Sequence, residues 1–328
     1  MSALRSLLLR REAGILVMIV LFCLAVGLYK PQFLTGNNLR VILLLTPLIM
    51  IAAMGQMLVL VARHVDLSMG SILGLSAMVT GMMFRDMPQI PWVLGFAVAI
   101  GTGALLGLIN GALVTIFRLP AIIVTLGTLN LYRGLTFIVS NARQVDRQYI
   151  PTDLKTMSQN SPIVGIPGII FIAFGVAILA YWFAMHTRIG RQIYALGSNP
   201  VAAPLRGIKV TQVTLLVFTI AGALSGLAGI LYASRWGFVN PSNTGFGFEF
   251  QVIAAVVIGG VSINGGVGSV PGVVLGVLLM GCVSSALPLL GIPGTAQAAI
   301  YGAVILVALL IDRSVRQQGI VSLKRVRA

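Results

Sequence analysis

An all-α, polytopic integral membrane protein of about ten transmembrane helices, both termini cytoplasmic, is the fold class that three observations predict. The 328 residues are 58% hydrophobic and 9% charged, with mean hydropathy +1.01, against roughly 25% charged residues in a soluble domain. Apolar runs recur along the chain, and a run of ~17–25 residues crosses about 30 Å of hydrocarbon as a helix. Lys and Arg gather in short clusters between those runs, as charges that set topology do. One transmembrane domain, 1–328, accounts for the whole length.

The spans follow in order as 13–28, 41–61, 68–84, 91–117, 120–140, 163–185, 213–233, 248–262, 270–289 and 295–311. The basic start MSALRSLLLRREAG imitates a signal peptide. The run after it lacks a small-residue cleavage site and ends in Tyr29, Lys30 and Pro31, so it is read as an uncleaved first span. With the N-terminus inside, the inner segments hold Arg5, Arg10, Arg11, Arg63, Arg118, Arg188, Arg191, Arg206, Lys209, Arg313, Arg316, Lys324, Arg325 and Arg327. The outer segments hold only Lys30, Arg40, Arg85, Arg143, Arg147, Lys155 and Arg235. This bias places both ends in the cytoplasm. The net charge of +15 is therefore topogenic, and no nucleic-acid partner is expected.

Two loops exceed simple turns. The outer one, 141–162, is expected to be periplasmic; the inner one, 186–212, is basic and contains NPVAAPLRG. There Asn199 can cap a helical turn with Pro200 at its first position, and Ala202, Ala203 and Leu205 offer an apolar face. Glycines recur at four-residue steps, as in Gly103, Gly107 and Gly111 or Gly222 and Gly226, which reads as close helix packing through small residues. The stretch VIGGVSINGGVGSVPGVVLG, 257–276, is too apolar for a soluble loop and too rich in glycine for an ordinary helix. Irregular backbone survives at membrane depth only when buried in protein or lining a cavity. Asn264, Gly265, Gly266 and Gly268 are therefore candidates for a moving or gating part.

Several chemistries are excluded. No glycine is followed by lysine, so no GxxxxGK[ST] phosphate loop exists and the chain does not bind nucleotide by that means. His64 and His186, both near span ends, rule out an HExxH zinc site and leave no mid-membrane base for an intramembrane serine protease at GLSA or GVSI. Cys23 and Cys282 stand far apart in apolar runs, where small core residues are expected. The chain is not an enzyme on this reading, and it carries no cofactor of its own.

Charged and strongly polar groups at membrane depth cost about 2.5–3.5 kcal/mol for a charge and default to functional candidates. Arg133 lies mid-span with Asn130 nearby; it either pairs with an acid or helix end or touches the translocation route. Asp66 opens the third span and suits a helix cap as well as the route. Glu249 opens the eighth span, and Asn110 lies beside Gly111, where it can bond across a tight helix pair.

Taken together, VDLSMGS (65–71), GLINGALVTIFRLPAIIVTLGTLNLYRG (107–134), GRQIYALGSNPVAAPLRGIKV (190–210) and IGGVSINGGVGSVPG (258–272) resemble the permease subunits of bacterial ribose-type monosaccharide ABC importers. The likeness runs over nearly the whole chain in order. It implies an inner-membrane permease that pairs with a second copy or a paralogue. A cytoplasmic ATP-binding subunit, which holds the ATP and Mg, would drive it, and a periplasmic sugar-binding protein would feed it. It further implies that NPVAAPLRG couples to the ATPase, through Gly197, Ser198, Asn199, Pro200, Ala203, Arg206 and Gly207. Where ribose permeases usually carry a glycine pair, this chain has Arg63 and His64, which is more similar to rhamnose or autoinducer-signal permeases. An ion-coupled secondary sugar carrier is the alternative; it would need Asp66 or Glu249 as its coupling acid.

Overall fold

A computed structural model describes residues 11–159, 166–293 and 296–306. Within them the chain forms α1 (Arg11–Tyr29), a 3-10 turn (Pro31–Leu34), α2 (Gly36–Val61), α3 (Met69–Asp86), α4 (Leu94–Ile116), α5 (Ala121–Ser140) and α6 (Thr152–Gln159). There follow α7 (Gly168–His186), α8 (Arg188–Ser198), α9 (Ala202–Leu205), α10 (Val210–Trp236), α11 (Phe248–Ile258), α12 (Val270–Leu289) and α13 (Ala296–Leu306). No strand occurs among the described residues; an isolated antiparallel bridge joins Val145 to Val239. The basic residues at 5, 10 and 313–327, the start of the sixth span and the end of the tenth lie outside the described residues.

Seven of these helices, α1, α2, α4, α5, α7, α10 and α12, are long and apolar enough to cross a membrane. In lipid a helix satisfies its backbone internally, so apolar length alone fixes these elements. Burial sorts them into two shells. The apolar window of α2 is 78% buried, whereas that of α1 is 17% buried. Thus α2, α10 and α12 form the interior together with α3 and α11, whereas α1, α5 and α7 expose large apolar side chains such as Leu21, Leu24, Ile123, Ile138, Ile178 and Leu179.

The tightest packing is between α4 and α10, the most extensive helix pair. A Cβ on Gly111 would meet the Leu215 backbone at 3.1 Å, and one on Gly103 would meet Gly226 at 2.8 Å. The glycine steps are thus a packing seam, as the four-residue spacing predicts.

Two expectations change. The eighth span ends at Ile258, making α11 eleven residues long. At 1.5 Å per residue it rises about 16 Å, half the hydrocarbon thickness. Hydropathy extended it because the Gly-Gly-Val-Ser turn that stops it is as apolar as a span. The outer loop carries the eight-residue α6, and the inner loop carries α8 as well as a short turn. Cys23 and Cys282 are the core residues expected, free thiols packed together in one cluster, with sulfurs 3.9 Å apart where α1 crosses α12. No sequence spacing announces a contact across 259 residues.

Candidate functional site

The polar and glycine candidates gather into three places. At one end of the bundle, the ends of α2 and α8 and the turn 259–269 meet backbone to backbone. The amphipathic α8 buries Gly190, Ile193, Leu196 and Gly197, and its start is capped by the Thr187 hydroxyl, which accepts from the Gly190 N–H at 2.9 Å. Its last turn lies so close to α2 that a Cβ on Gly197 would land on the Val61 carbonyl oxygen. That same oxygen accepts from the Gly266 N–H at 2.9 Å. Tyr194 donates its hydroxyl to the Gly268 carbonyl at 2.9 Å, and Ser269 donates to Glu12 of α1 at 2.9 Å. Gly265 is buried, with φ +82°, and Gly266 follows at φ +72°. Asn264 is exposed and contributes no side-chain contact to this junction.

Beyond α8 the chain turns once more. Asn199 accepts from the N–H groups of Val201 and Ala202 at 3.1 and 3.0 Å, the cap that its position predicts. Ala203 is buried, but Leu205 is not part of an inward apolar face: it is 86% exposed, with Val201 80% exposed beside it. Pro200 and Arg206 are exposed, and Gly207 at φ +76° turns the chain back toward α10. A two-knob apolar tip thus stands on a rigid stalk that touches α2 and the glycine turn.

Arg63 sits in the same region at φ +69°, the left-handed region that favours glycine. Ribose permeases usually carry a glycine pair here, and Arg63 adopts a conformation that glycine takes readily. Next to it His64 meets Thr214 at 3.4 Å and the Phe218 ring at 5.7 Å. Burial holds its imidazole below the ordinary value.

The second place is a buried polar chain. Asp66 accepts from the Ser68 N–H at 2.8 Å and from its hydroxyl at 2.6 Å. Asn110 donates to the Ser68 hydroxyl at 2.7 Å, and the Tyr132 hydroxyl lies 3.0 Å from both Asn110 Oδ1 and the Leu106 carbonyl. The chain ties the linker before α3 to α4 and α5. Burial pushes the Asp66 carboxyl up to about 6, against the two bonds from Ser68. Ser68→Ala would strip Asp66 of one donor and leave the Asn110 amide without its acceptor. An orphaned buried group costs about 1–3 kcal/mol, so a lower melting temperature of the detergent-purified protein is expected; an unchanged one would remove the structural role.

The third place surrounds Gly245. Here 237–247 returns from the end of α10 into the bundle, and Gly245, at φ +77°, lies on the backbone of Gly70 in α3. Arg133 of α5 stacks over Phe246 at 4.7 Å, with its guanidinium 3.5 Å from the Gly245 carbonyl. Glu249 is buried against the same face of Gly70 as the Gly245 carbonyl. Arg133 and Glu249 therefore grip one re-entrant segment. Asn130 joins none of the three places; it is exposed and bonds to the Leu126 carbonyl of its own helix. Sequence reasoning missed Tyr194, Ser68 and Tyr132, residue types too common in apolar helices to stand out without their partners.

The described residues thus form a multi-helix bundle with a half-length helix, a re-entrant segment and an exposed helical tip at one end. The family described as branched-chain amino acid transport system, permease component, matches residues 38–309, and the chain belongs to it. It is 36% identical over 315 residues to the autoinducer 2 import system permease protein LsrC of Enterobacter sp. (strain 638), covering 95% of this chain and 90% of that protein. The similarly described proteins of Salmonella typhi and Yersinia pseudotuberculosis serotype O:1b are each 35% identical, covering 93% and 94% of this chain and 86% and 88% of theirs. No solved structure matches the chain. The protein is a multi-pass permease of the bacterial inner membrane.

Proposed function

We propose that this chain is the transmembrane subunit of an ATP-driven importer for a small sugar-like solute of the autoinducer 2, rhamnose or ribose type. The sequence relatives named for autoinducer 2 import support the solute class. One observation carries the coupling: the exposed pair Val201 and Leu205 sits on a stalk whose base is in backbone contact with both α2 and the glycine turn. A separate ATP-binding subunit, which holds the ATP and Mg, docks on that tip. Closure of its nucleotide sites pushes α9, and α8 passes the push through Gly197 to Val61 and Gly266. A solute-binding protein delivers at the opposite end, and a second permease copy or paralogue completes the pore.

In this reading both termini are cytoplasmic. The junction and the loop 186–212 face the cytoplasm, and the loop 141–162 faces the periplasm. The ten apolar segments are the seven long helices plus α3, α11 and α13, of which α11 spans only part of the bilayer. Gly197, Ser198, Asn199, Pro200, Ala203, Arg206 and Gly207 form the coupling element. Asp66, Asn110, Arg133, Glu249, Gly265, Gly266 and Gly268 form the parts that hold or move the route, and Asn130 and Asn264 face partners or solvent.

Replacing 197–207 by a flexible Gly-Ser linker is expected to abolish uptake while the ATP-binding subunit still hydrolyses ATP; retained uptake would overturn the coupling role. Uptake by the intact system is expected to stop on ATP depletion and to survive a protonophore. The reverse pattern would make the chain an ion-coupled secondary carrier instead.

A further inference from the structure

A half-open cavity of about 600 Å³ lies at the end of the bundle opposite the α2–α8 junction. Its walls come from the start of α2, the ends of α10 and α12, the re-entrant segment, α11 and α13. Asp66, Asn110, Asn130, Arg133, Glu249 and Asn264 do not line it, whereas Arg235 of the outer basic set does. We infer that this cavity is a binding site for an uncharged polyhydroxy solute of monosaccharide size. The inference rests on the importer reading and supplies a position for the solute within it.

The volume falls in the ~300–1,000 Å³ range of small-molecule sites, which combine apolar walls with a few fixed polar groups. The wall chemistry is specific. Aromatic faces from Tyr232, Trp236 and Tyr301 suit the C–H faces of a sugar ring, and the amides of Asn243 and Gln251 offer both donors and acceptors for hydroxyls. Arg235 lies over Trp236 at 4.9 Å, which presets one edge of the site.

Other polar groups of the wall are held in place beforehand. Ser284 and the Tyr301 hydroxyl are 2.9 Å apart. Ser285 donates to Asn38 Oδ1 at 2.6 Å, and the Asn38 amide in turn donates to the Phe33 carbonyl at 2.8 Å. Groups locked by such bonds lose little freedom when a ligand arrives.

The same wall argues against two other occupants. Among its described residues there is no Asp or Glu, so the ammonium of an amino acid would be buried without a counter-charge, at a heavy cost. A lipid acyl chain would cover the Asn243 and Gln251 amides with hydrocarbon and offer them no partner. A solute with several hydroxyls answers the amides and hydroxyls of this wall, with the Arg235 guanidinium as a further donor at its edge.

The floor connects the cavity to the re-entrant segment. Gly245 and Phe246 form part of the lining, while Gly245 rests on Gly70 and Phe246 meets Arg133 on its far side. A solute in the cavity therefore sits directly on the piece of backbone that Arg133 and Glu249 grip, and movement of that piece would release it.

The test uses the whole importer, permease with its ATP-binding subunit and binding protein, in proteoliposomes. In a background with Cys23→Ala and Cys282→Ala, Ser284→Cys is expected to react with a membrane-impermeant thiol reagent. D-ribose, L-rhamnose or autoinducer 2, whichever the system imports, should slow that reaction at least fivefold, and L-leucine should not. As a second variant with native cysteines, Gln251→Leu should raise the half-saturating solute concentration about tenfold with little change in maximal rate. If the wild-type complex imports one of these sugars but neither protection nor the shift occurs, the cavity is not a solute site and the importer reading stands. Protection by L-leucine would overturn the polyhydroxy assignment. If no sugar on the panel is imported with ATP, the reading beneath the inference fails and the inference with it.

Discussion

Gly222→Val is expected to lower the amount of folded permease recovered from membranes at least tenfold. At this position in α10 a Cβ would stand 2.8 Å from the Gly107 Cα and 2.9 Å from its nitrogen. Both are backbone atoms of α4, and no rotamer change can clear them. The four glycines interlock reciprocally, since a Cβ on Gly103 or Gly107 would strike Gly222, Gly226 or the Phe218 backbone. Without a hydrophobic drive between helices in lipid, this close approach is what holds the pair together. Pushing the helices apart by the width of a valine therefore forfeits contacts along the whole crossing. Overpacking an ordinary core site costs about 1–3 kcal/mol; here the strain falls on the largest helix interface in the molecule. The measurement is the monodisperse peak on size exclusion in detergent. Gly222→Ala should give an intermediate yield. Gly127→Ala, where nothing lies within 4 Å, should match the wild type, and normal yield from Gly222→Val would mean that α4 and α10 are not close-packed.

The long helices were legible because lipid imposes a single rule, an unbroken apolar run that satisfies its own backbone, and the composition of α2, α4, α10 or α12 obeys it without competition. Legibility ends where that rule is silent. Hydropathy treats Gly259, Gly260 and Val261 as more of the eighth span, although the αL conformation of Gly260 (φ +83°) has already turned the chain. Burial of α3 is equally invisible, since a glycine- and serine-rich helix ending in the exposed Arg85–Asp86 ion pair looks peripheral by composition. It is instead internal, because Gly70 and Gly74 accept the backbone of Thr244 and Gly245.

The candidate site was legible by residue type but not by partnership. Asp66 and Asn110 each stand out as polar in apolar surroundings, and so do Arg133 and Glu249. Their joint attachment, through Ser68 in one case and around Gly245 in the other, depends on contacts between distant segments that no local pattern encodes. The meeting of Val61, Gly197 and Gly266 is the extreme case. Gly197 and Gly266 stand out in the sequence for separate reasons and Val61 for none, and only their shared backbone contact makes them a junction.

That junction yields the second large effect. Gly266→Val is expected to leave insertion and protein level within about twofold of the wild type while reducing ATP-driven uptake at least tenfold. Gly266 has φ +72°, where a β-branched residue carries a strain of about 1–3 kcal/mol. Its Cβ would also stand 2.7 Å from the Ser198 nitrogen and Cα, so α8 must withdraw. The Gly266 N–H would then lose the Val61 carbonyl, and the glycine turn would part from the stalk that bears Val201 and Leu205. The damage stays local because the site lies at the helix ends, away from the α4–α10 seam. Gly197→Ala acts from the other side of the same contact, placing its Cβ on the Val61 oxygen, and should share the phenotype. ATP hydrolysis by the assembled complex separates the outcomes. Hydrolysis that continues while uptake is lost identifies a severed connection. Normal uptake by both variants would mean that the push from α9 reaches the pore by another path.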